Sequence, residues 1–531
     1  MDNKIEFLSD SRFKTYANND FIMASEFFEK YKEDMANSKI TEKIEGYITT
    51  FLNCQLPRLK ELKRYYLADN NIKYRDTGRD ENRADNKIAS DWAKYITTFM
   101  QGYILGNPIE YGNDDEDLME KIKDFQKVNN EDYHNGLLET DLSIYGRAYE
   151  LIYSDEESQP RLTKLQPENT FVVYDDTIAK NSLFGVRIYQ IKYSESDCVS
   201  FVEVYTADKI YYYEANNLDF SGINYKREAE SKFQSVPINE YRNNEERTGD
   251  YEAVLDSIDA YDLSQSELAN FQQDMSDAYL VIVGNPMTGT APEYETDEEG
   301  NVKTDSNGNP IINENSSSDV LKSMMKARML ILDNNNDPDG PTPTAFYLTK
   351  TYDSSGMEAY KSRLVDDILR FTFTPDTSDQ NFSGIQSGES MKYKLMGNDN
   401  LTKTKIRLLT KGIMRRLRLL GNFWKIGNAT ATKGKLKDET LDEINNTIIK
   451  FTPNIPQNED EKVNVIKQLY GVVSDETLLT LLSSFTGVDA EDELKRLKKE
   501  SKSGRDDSSL NKGFSRADTL KQEESEDGQE E

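Results

Sequence analysis

The chain has 531 residues and a mass of 61.0 kDa, long enough for several hydrophobic cores and, at roughly 100 to 200 residues per domain, about three or four structural units. Its 65 basic and 96 acidic residues leave a net charge of −31, a field that repels duplex DNA and disfavours a sequence-reading wrap around it unless positive charge is locally concentrated. One histidine, His134, and two cysteines, Cys54 and Cys198, exclude histidine-dependent triads, zinc sites built on several histidines and a disulfide framework.

Both thiols are expected to be buried in a reducing cytoplasm. The first residues show no basic region followed by an apolar run, and no stretch approaches the roughly 18 apolar residues of a membrane span. The expectation is a soluble, unexported protein.

Apolar positions at Ile44, Ile48, Phe51, Leu52, Leu59 and Leu62 predict an amphipathic helix over 40–66 with a weak point at Pro57. After a polar stretch, 74–86, the stripe Ile88, Trp92, Tyr95, Ile96 and Phe99 predicts a second helix over 87–105, stopped by Gly106-Asn107-Pro108. Helical patterns at 116–126 and 133–145 follow. From about 148 to 241 the texture changes to short runs rich in Tyr, Val, Ile and Phe, at 149–153, 170–174, 184–193, 200–205 and 209–213, which predict an antiparallel meander packed on the preceding helices.

Past Thr248-Gly249 the period returns to helix, with Tyr251, Leu255, Ile258, Leu268, Phe271 and Met275 marking one helix of about thirty residues. Strands are expected at 279–283, 329–332 and 345–348, with a polar stretch between the first two in which turn signals at Glu299-Gly300-Asn301 and Asn307-Gly308-Asn309-Pro310 predict a hairpin projecting into solvent. Ser355-Gly356-Met357-Glu358 reads as a capping box opening a helix to Phe371. Two helices therefore bracket a small α/β unit.

A polar loop from Thr374-Pro375-Asp376 to Gly388 leads into a long helix over 391–424, where ten basic residues face one acid, Asp399, between Lys392 and Lys425. Residues 428–440 read as a linker, and short helices are expected at 442–451, 460–470, 475–484 and 489–499. Beyond Ser501 the sequence is Ser, Asp, Glu and Lys with almost no apolar content, the composition of a disordered, solubilising tail.

No phosphate-binding G-x-x-x-x-G-K-[ST] or G-x-G-x-x-G occurs, and Gly384-Ile385-Gln386-Ser387-Gly388 lacks the lysine that would reach a phosphate. The acidic loops at Asp305 and Asp337 miss the glycine or the bidentate glutamate of a calcium loop and read as turns. No compact carboxylate signature of a two-metal nuclease stands out on a strand. No cofactor and no catalytic residue are expected.

The basic helix has three readings: a solvated face, a contact along phosphates, or a contact with an acidic surface of a neighbouring copy. Interleaved Ile406, Leu409, Ile413, Leu417 and Leu420 bury one side in protein. In so acidic a chain, complementarity between subunits is favoured.

Several strings in order, Phe99-Met100-Gln101-Gly102-Tyr103-Ile104-Leu105-Gly106-Asn107-Pro108-Ile109, Tyr145-Gly146-Arg147-Ala148-Tyr149, Pro237-Ile238-Asn239-Glu240-Tyr241, Tyr347-Leu348-Thr349-Lys350, Thr374-Pro375-Asp376 and Ser387-Gly388, resemble portal proteins of long-tailed bacteriophages of Gram-positive hosts over roughly 40–425. The resemblance implies an α+β, mainly helical portal fold in which 1–25 is an arm, 26–249 a β-rich wing, 250–278 and 354–372 stem helices and 279–353 a small α/β clip. It further implies a tunnel loop at 373–388, a long basic wing helix at 389–426, a helical crown at 427–500 and a tail at 501–531.

It also implies a non-enzymatic ring, twelvefold at one capsid vertex and assembled in the host cytoplasm, through which double-stranded DNA enters and leaves. The implied partners are other copies of the chain, major capsid and scaffolding proteins, the terminase large subunit and a head-tail adaptor, with no membrane. On this basis Asp376, Asp379, Gln380, Asn381 and Phe382 are candidate DNA-channel residues. Lys405, Arg407, Lys411, Arg415, Arg416 and Arg418 are candidate subunit-interface residues. Tyr294, Glu295, Asp333 and Asp337 are candidate partner-binding residues of the clip, although the polar insertion at 289–318 departs from the family pattern. Another head or neck component and a metal-dependent DNA-processing enzyme are the alternative readings.

Overall fold

The computed structural model describes residues 18–76, 78, 84–194, 198–275, 279–283, 294–295, 297, 301–304, 310–311, 329–332, 344–348, 354–377, 388–430, 440–454, 466–469, 472–486 and 493–497. Residues 1–384 with 393–454 form one compact unit, and 385–392 with 455–531 a second.

The first unit opens with strand β1 (Phe21–Met23) and helices α1 (Ser25–Tyr31), α2 (Ser38–Thr50) and α3 (Leu56–Tyr66), followed by α4 (Trp92–Leu105), strand β2 (Glu110–Gly112), α5 (Glu116–Asn129) and α6 (Glu131–Tyr145). The break expected at Pro57 is absorbed by one π-helical turn, Phe51–Gln55, in which the Leu56 amide bonds back to Phe51. This shift lets Pro57 stand at the start of α3, where no amide donor is needed.

Eight strands follow, β3 (Arg147–Ser154), β4 (Pro160–Leu165), β5 (Thr170–Asp175), β6 (Ser182–Lys192), β7 (Cys198–Tyr205), β8 (Lys209–Ala215), β9 (Ile223–Glu230) and β10 (Ile238–Arg242). They form two sheets rather than the single meander expected. One is six-stranded in the order β1-β5-β6-β7-β8-β9, the other three-stranded in the order β10-β3-β4. The meander survives from β5 to β9, while β1 joins parallel to β5 through Phe21 opposite Val173. Splitting the strands gives the six-stranded sheet one apolar face toward α2 and the other toward the smaller sheet. Phe171, Val173, Phe184, Val186, Val202 and Val204 pack with Ile40, Ile44, Ile48 and Phe51 of α2 and its π turn, whereas Tyr149, Leu151, Val172, Tyr174 and Ile238 form a separate cluster.

Helix α7 (Leu255–Met275) is preceded by a 3-10 turn, Glu252–Val254, and leads to strand β11 (Tyr279–Val283), which pairs parallel with β12 (Met329–Leu332) and antiparallel with β13 (Thr344–Leu348). Of the predicted hairpin between β11 and β12, the described residues show Thr304 bridged to Pro310 and the Glu295 amide bonded to Ile311. Helix α8 (Ser354–Phe371) then packs against α7. The long basic helix is α9 (Gly388–Thr430), followed by α10 (Thr440–Asn445) and strand β14 (Ile448–Lys450).

Two predicted helices are shorter than their periodicity suggests. Residues 448–450 leave helix because the β-branched pair Ile448-Ile449 forms an antiparallel ladder with Glu110–Gly112. Residues 87–91 stay outside α4, tied to α7 with Asn86 before them. The amides of Asn86, Ile88 and Ser90 donate to Asn270 Oδ1 (2.6 Å), Ser266 Oγ (2.9 Å) and Asp262 Oδ1 (2.8 Å) on α7.

In the second unit, helix α11 (Asp475–Thr486) covers the helix expected at 475–484, and helical residues occur at 466–469 and 493–497. The tail expected beyond Ser501 lies outside the described residues.

Candidate interface and channel residues

Helix α9 carries two kinds of cation. On its buried side, Leu409, Ile413, Leu417, Leu420 and Phe423 are all below a tenth exposed, and Gly412 lets the helix approach so closely that a Cβ there would stand 2.3 Å from the Tyr241 ring. Within that interface lie Lys405 and Arg416, at 2% and 0% exposure.

Arg416 is the centre of a polar network in an otherwise apolar layer. It donates to Glu150 through Nε (3.0 Å) and Nη2 (2.7 Å), and Nη1 reaches Glu131. Glu150 also accepts from Asn239 Nδ2 (2.9 Å) and Tyr241 Oη (2.7 Å) and shares a 3.0 Å hydrogen bond with His134. Burial pushes the Glu150 carboxyl up, but Arg416 and His134 outweigh it and hold the group well below the usual carboxylate range. The layer is therefore charged, paired and hydrogen-bonded, the condition under which buried ions persist.

Lys405 sits 2.7 Å from Glu139 and 2.9 Å from Asp250. Burial raises the Glu139 carboxyl to about 7, with Asp250 adding repulsion and Lys405 opposing both. One cation thus ties α9 to α6 and to the segment that enters α7.

The opposite side of α9 presents Lys403, Arg407, Lys411 and Arg418 at intervals of four, four and seven residues, all exposed. Lys403 pairs with Asp399 (2.6 Å) and Arg418 donates to Asn445 (2.8 Å). Among the described residues, Arg407 and Lys411 have no in-chain partner. The six expected interface cations therefore separate. Lys405 and Arg416 are corrected to internal ties, since their charge is spent within the subunit; Arg415, half-buried, donates to Ser182 (2.7 Å); Arg407, Lys411 and Arg418 remain at the surface. The basic count of the sequence carried no information about which face each residue takes.

The residues that hold the two buried cations were missed by sequence reasoning, though one signal was available. Glu150 interrupts the apolar run Tyr149-Glu150-Leu151-Ile152 in a strand whose residues 147–152 are all buried. A carboxylate in such a run requires a buried partner.

The loop after α8 begins with a left-handed residue. Phe373 has φ +55°, its amide donates to Arg370 O (3.2 Å), and the Thr374 amide donates to Leu369 O (2.9 Å), a paired closure that normally selects glycine. Phe371 and Phe373 are 58% and 51% exposed. Asp376 is half-buried, and Thr377 Oγ1 lies 2.8 Å from Tyr95 Oη. The other channel candidates, Asp379, Gln380, Asn381 and Phe382, lie outside the described residues, as do Asp333 and Asp337. Tyr294 is exposed and Glu295 pairs with Lys303 at 3.5 Å.

Among the described residues no group of three or more His, Cys, Asp or Glu is placed to hold a metal ion, and no helix is long and apolar enough to cross a membrane.

Residues 46–506 match the family profile described as phage portal protein, SPP1 Gp6-like. A curated relative, the portal protein of Bacillus phage SPP1, is 28% identical over 251 residues, 42% of this chain and 48% of the relative, so the match spans about half of that protein's length. Among solved structures, a chain in the neck of an empty gene transfer agent particle is 12% identical with a TM-score of 0.33, covering 80% of this chain and 93% of that one. A chain in the neck of the native particle, computed with C12 symmetry, is 12% identical with a TM-score of 0.36, covering 79% and 92%.

Proposed function

Because the chain belongs to the SPP1 Gp6-like family of phage portal proteins, a structural rather than catalytic family, we propose that it is the ring-forming subunit of a capsid-vertex channel for double-stranded DNA. In this reading the ring is twelvefold in the particle. It docks the terminase motor during packaging and head-tail connector proteins afterwards, with capsid and scaffolding proteins around it.

The observation that carries the reading is the family match over 46–506. The order helix, small three-stranded sheet, helix between 255 and 371 supports assigning α7 and α8 to a stem and the sheet to a clip. Helices α1 to α6, the sheets β1-β5-β6-β7-β8-β9 and β10-β3-β4, and α9 then belong to the wing, and 373–388 to a tunnel loop facing DNA. Exposed Arg407 and Lys411 support a subunit contact on α9, since an acidic chain of net charge −31 offers neighbouring copies many carboxylates. Net negative charge also keeps a passing duplex from forming lasting ion pairs with the wall.

Electron microscopy of the purified full chain, with solution mass measured on the same sample, tests the proposal. Rings of about a dozen subunits around a central hole are expected. A compact monomer or dimer under conditions that favour assembly, together with magnesium-dependent cleavage of DNA, would replace it with a nuclease reading.

A further inference from the structure

The three amides that bond to α7 alternate along the chain at 86, 88 and 90, and their acceptors recur every fourth residue on the helix at 270, 266 and 262. Two residues of extended chain span about 6.6 Å, and four residues of α-helix rise about 6 Å. The two repeats are nearly commensurate, so an extended segment running antiparallel to α7 meets one acceptor per rung.

Asp262, Ser266 and Asn270 are at most 2% exposed. The contact is reinforced by Asn86 Nδ2 on Gln273 (3.0 Å) and by Asn70 Nδ2 bridging Asp262 (2.5 Å) and Ser90 O (2.9 Å). This is a built ladder, and it competes with a second structure. Ile88 continues the apolar stripe of α4, Asn86 is a favourable N-cap residue, and no Gly or Pro separates 86 from 92. The local sequence encodes helix where the fold holds a non-helical strap.

We propose that residues 87–91 are a strap-to-helix switch governed by α7: while the Asp262-Ser266-Asn270 row is in register the segment is a non-helical strap, and when α7 moves off it α4 lengthens by more than one turn at its N-terminus. The two states bond different amides. In the strap, 86, 88 and 90 are bonded; in the lengthened helix, 91 to 94 gain partners at 87 to 90. Displacement of α7 is thereby converted into helix gained at α4, whatever assembly the chain enters.

Residue-resolved hydrogen exchange on the full chain tests this. In the Ser266→Ala, Asn270→Ala double variant, amides 86 and 88 should lose protection while 91 to 94 gain it, about tenfold each. Adding Asp91→Pro, at the N-cap of α4, where proline is tolerated before the present helix but clashes inside the lengthened one, should abolish the gain at 92 to 94 and leave the loss. Loss at 86 to 90 without gain at 91 to 94 would overturn the proposal, as would unchanged protection at 86 and 88. Should the double variant fail to fold, Ser266→Ala alone removes the middle rung and is read the same way.

Discussion

Arg416 and Glu150, 266 residues apart in sequence, meet through hydrogen bonds of 2.7 to 3.1 Å with neither side chain open to solvent. The pair fixes α9 on the sheet β10-β3-β4 at one angular setting, because a planar guanidinium satisfies two carboxylates only in its own plane. That setting decides which of the remaining cations of α9 reach the surface.

Replacing Arg416 by Met leaves the buried Glu131 and Glu150 without their guanidinium, keeping only hydrogen bonds from Tyr111, Asn239, Tyr241 and His134, and a loss of about 3 to 5 kcal/mol in chemical denaturation is expected. The loss should be smaller at pH 5 than at pH 8, since protonation relieves stranded carboxylates. Equal losses at both values would place the cost in packing.

Arg407→Glu with Lys411→Glu should leave the melting temperature of the isolated subunit nearly unchanged, both residues being exposed. Ring assembly, followed by sedimentation, should fail or weaken. Intact rings would locate the subunit contact on another surface.

Asp262 is held near pKa 6 by burial, against hydrogen bonds from Ser90 and Asn70. A carboxyl whose folded value lies above its unfolded value, about 4, binds its proton more tightly when folded. Its contribution to stability is therefore full below about pH 4, falls as pH rises through about 6, and is constant above. The span is about 3 kcal/mol, and Asp262→Asn should remove that slope from the denaturation profile between pH 4 and pH 7. A profile parallel to the parent would show that Asp262 titrates normally.

Phe373→Gly relieves a left-handed phenylalanine at the end of α8 and should raise stability by about 1 kcal/mol in urea titration. A decrease would mean that the ring's contact beside Gly397, where a Cβ would lie 3.5 Å from Phe373 Cδ1, outweighs the backbone cost.

Asp376→Lys with Asp379→Lys places cations in the proposed tunnel loop, where they would attract phosphates instead of repelling them. Rings should still assemble, while DNA packaging in a reconstituted particle slows or stops. Normal packaging would remove the loop from the DNA path.

The periodic segments were legible without coordinates. The strands at 279–283 and 329–332, the helices at 116 and 133 and the strands at 149–153, 170–174, 184–193, 200–205 and 209–213 follow from local spacing of apolar residues, and spacing is a property of neighbours along the chain. The family resemblance was likewise carried by local strings in order.

What spacing could not settle is where the decision lies between distant partners. Lys405 and Arg407 are two residues apart in one basic run, yet one is buried against Glu139 and Asp250 and the other is exposed. Residues 87–91 have the period of a helix and lie outside α4, because acceptors about 180 residues further on hold the amides of Ile88 and Ser90. In both cases contacts formed only in the folded unit decide the outcome.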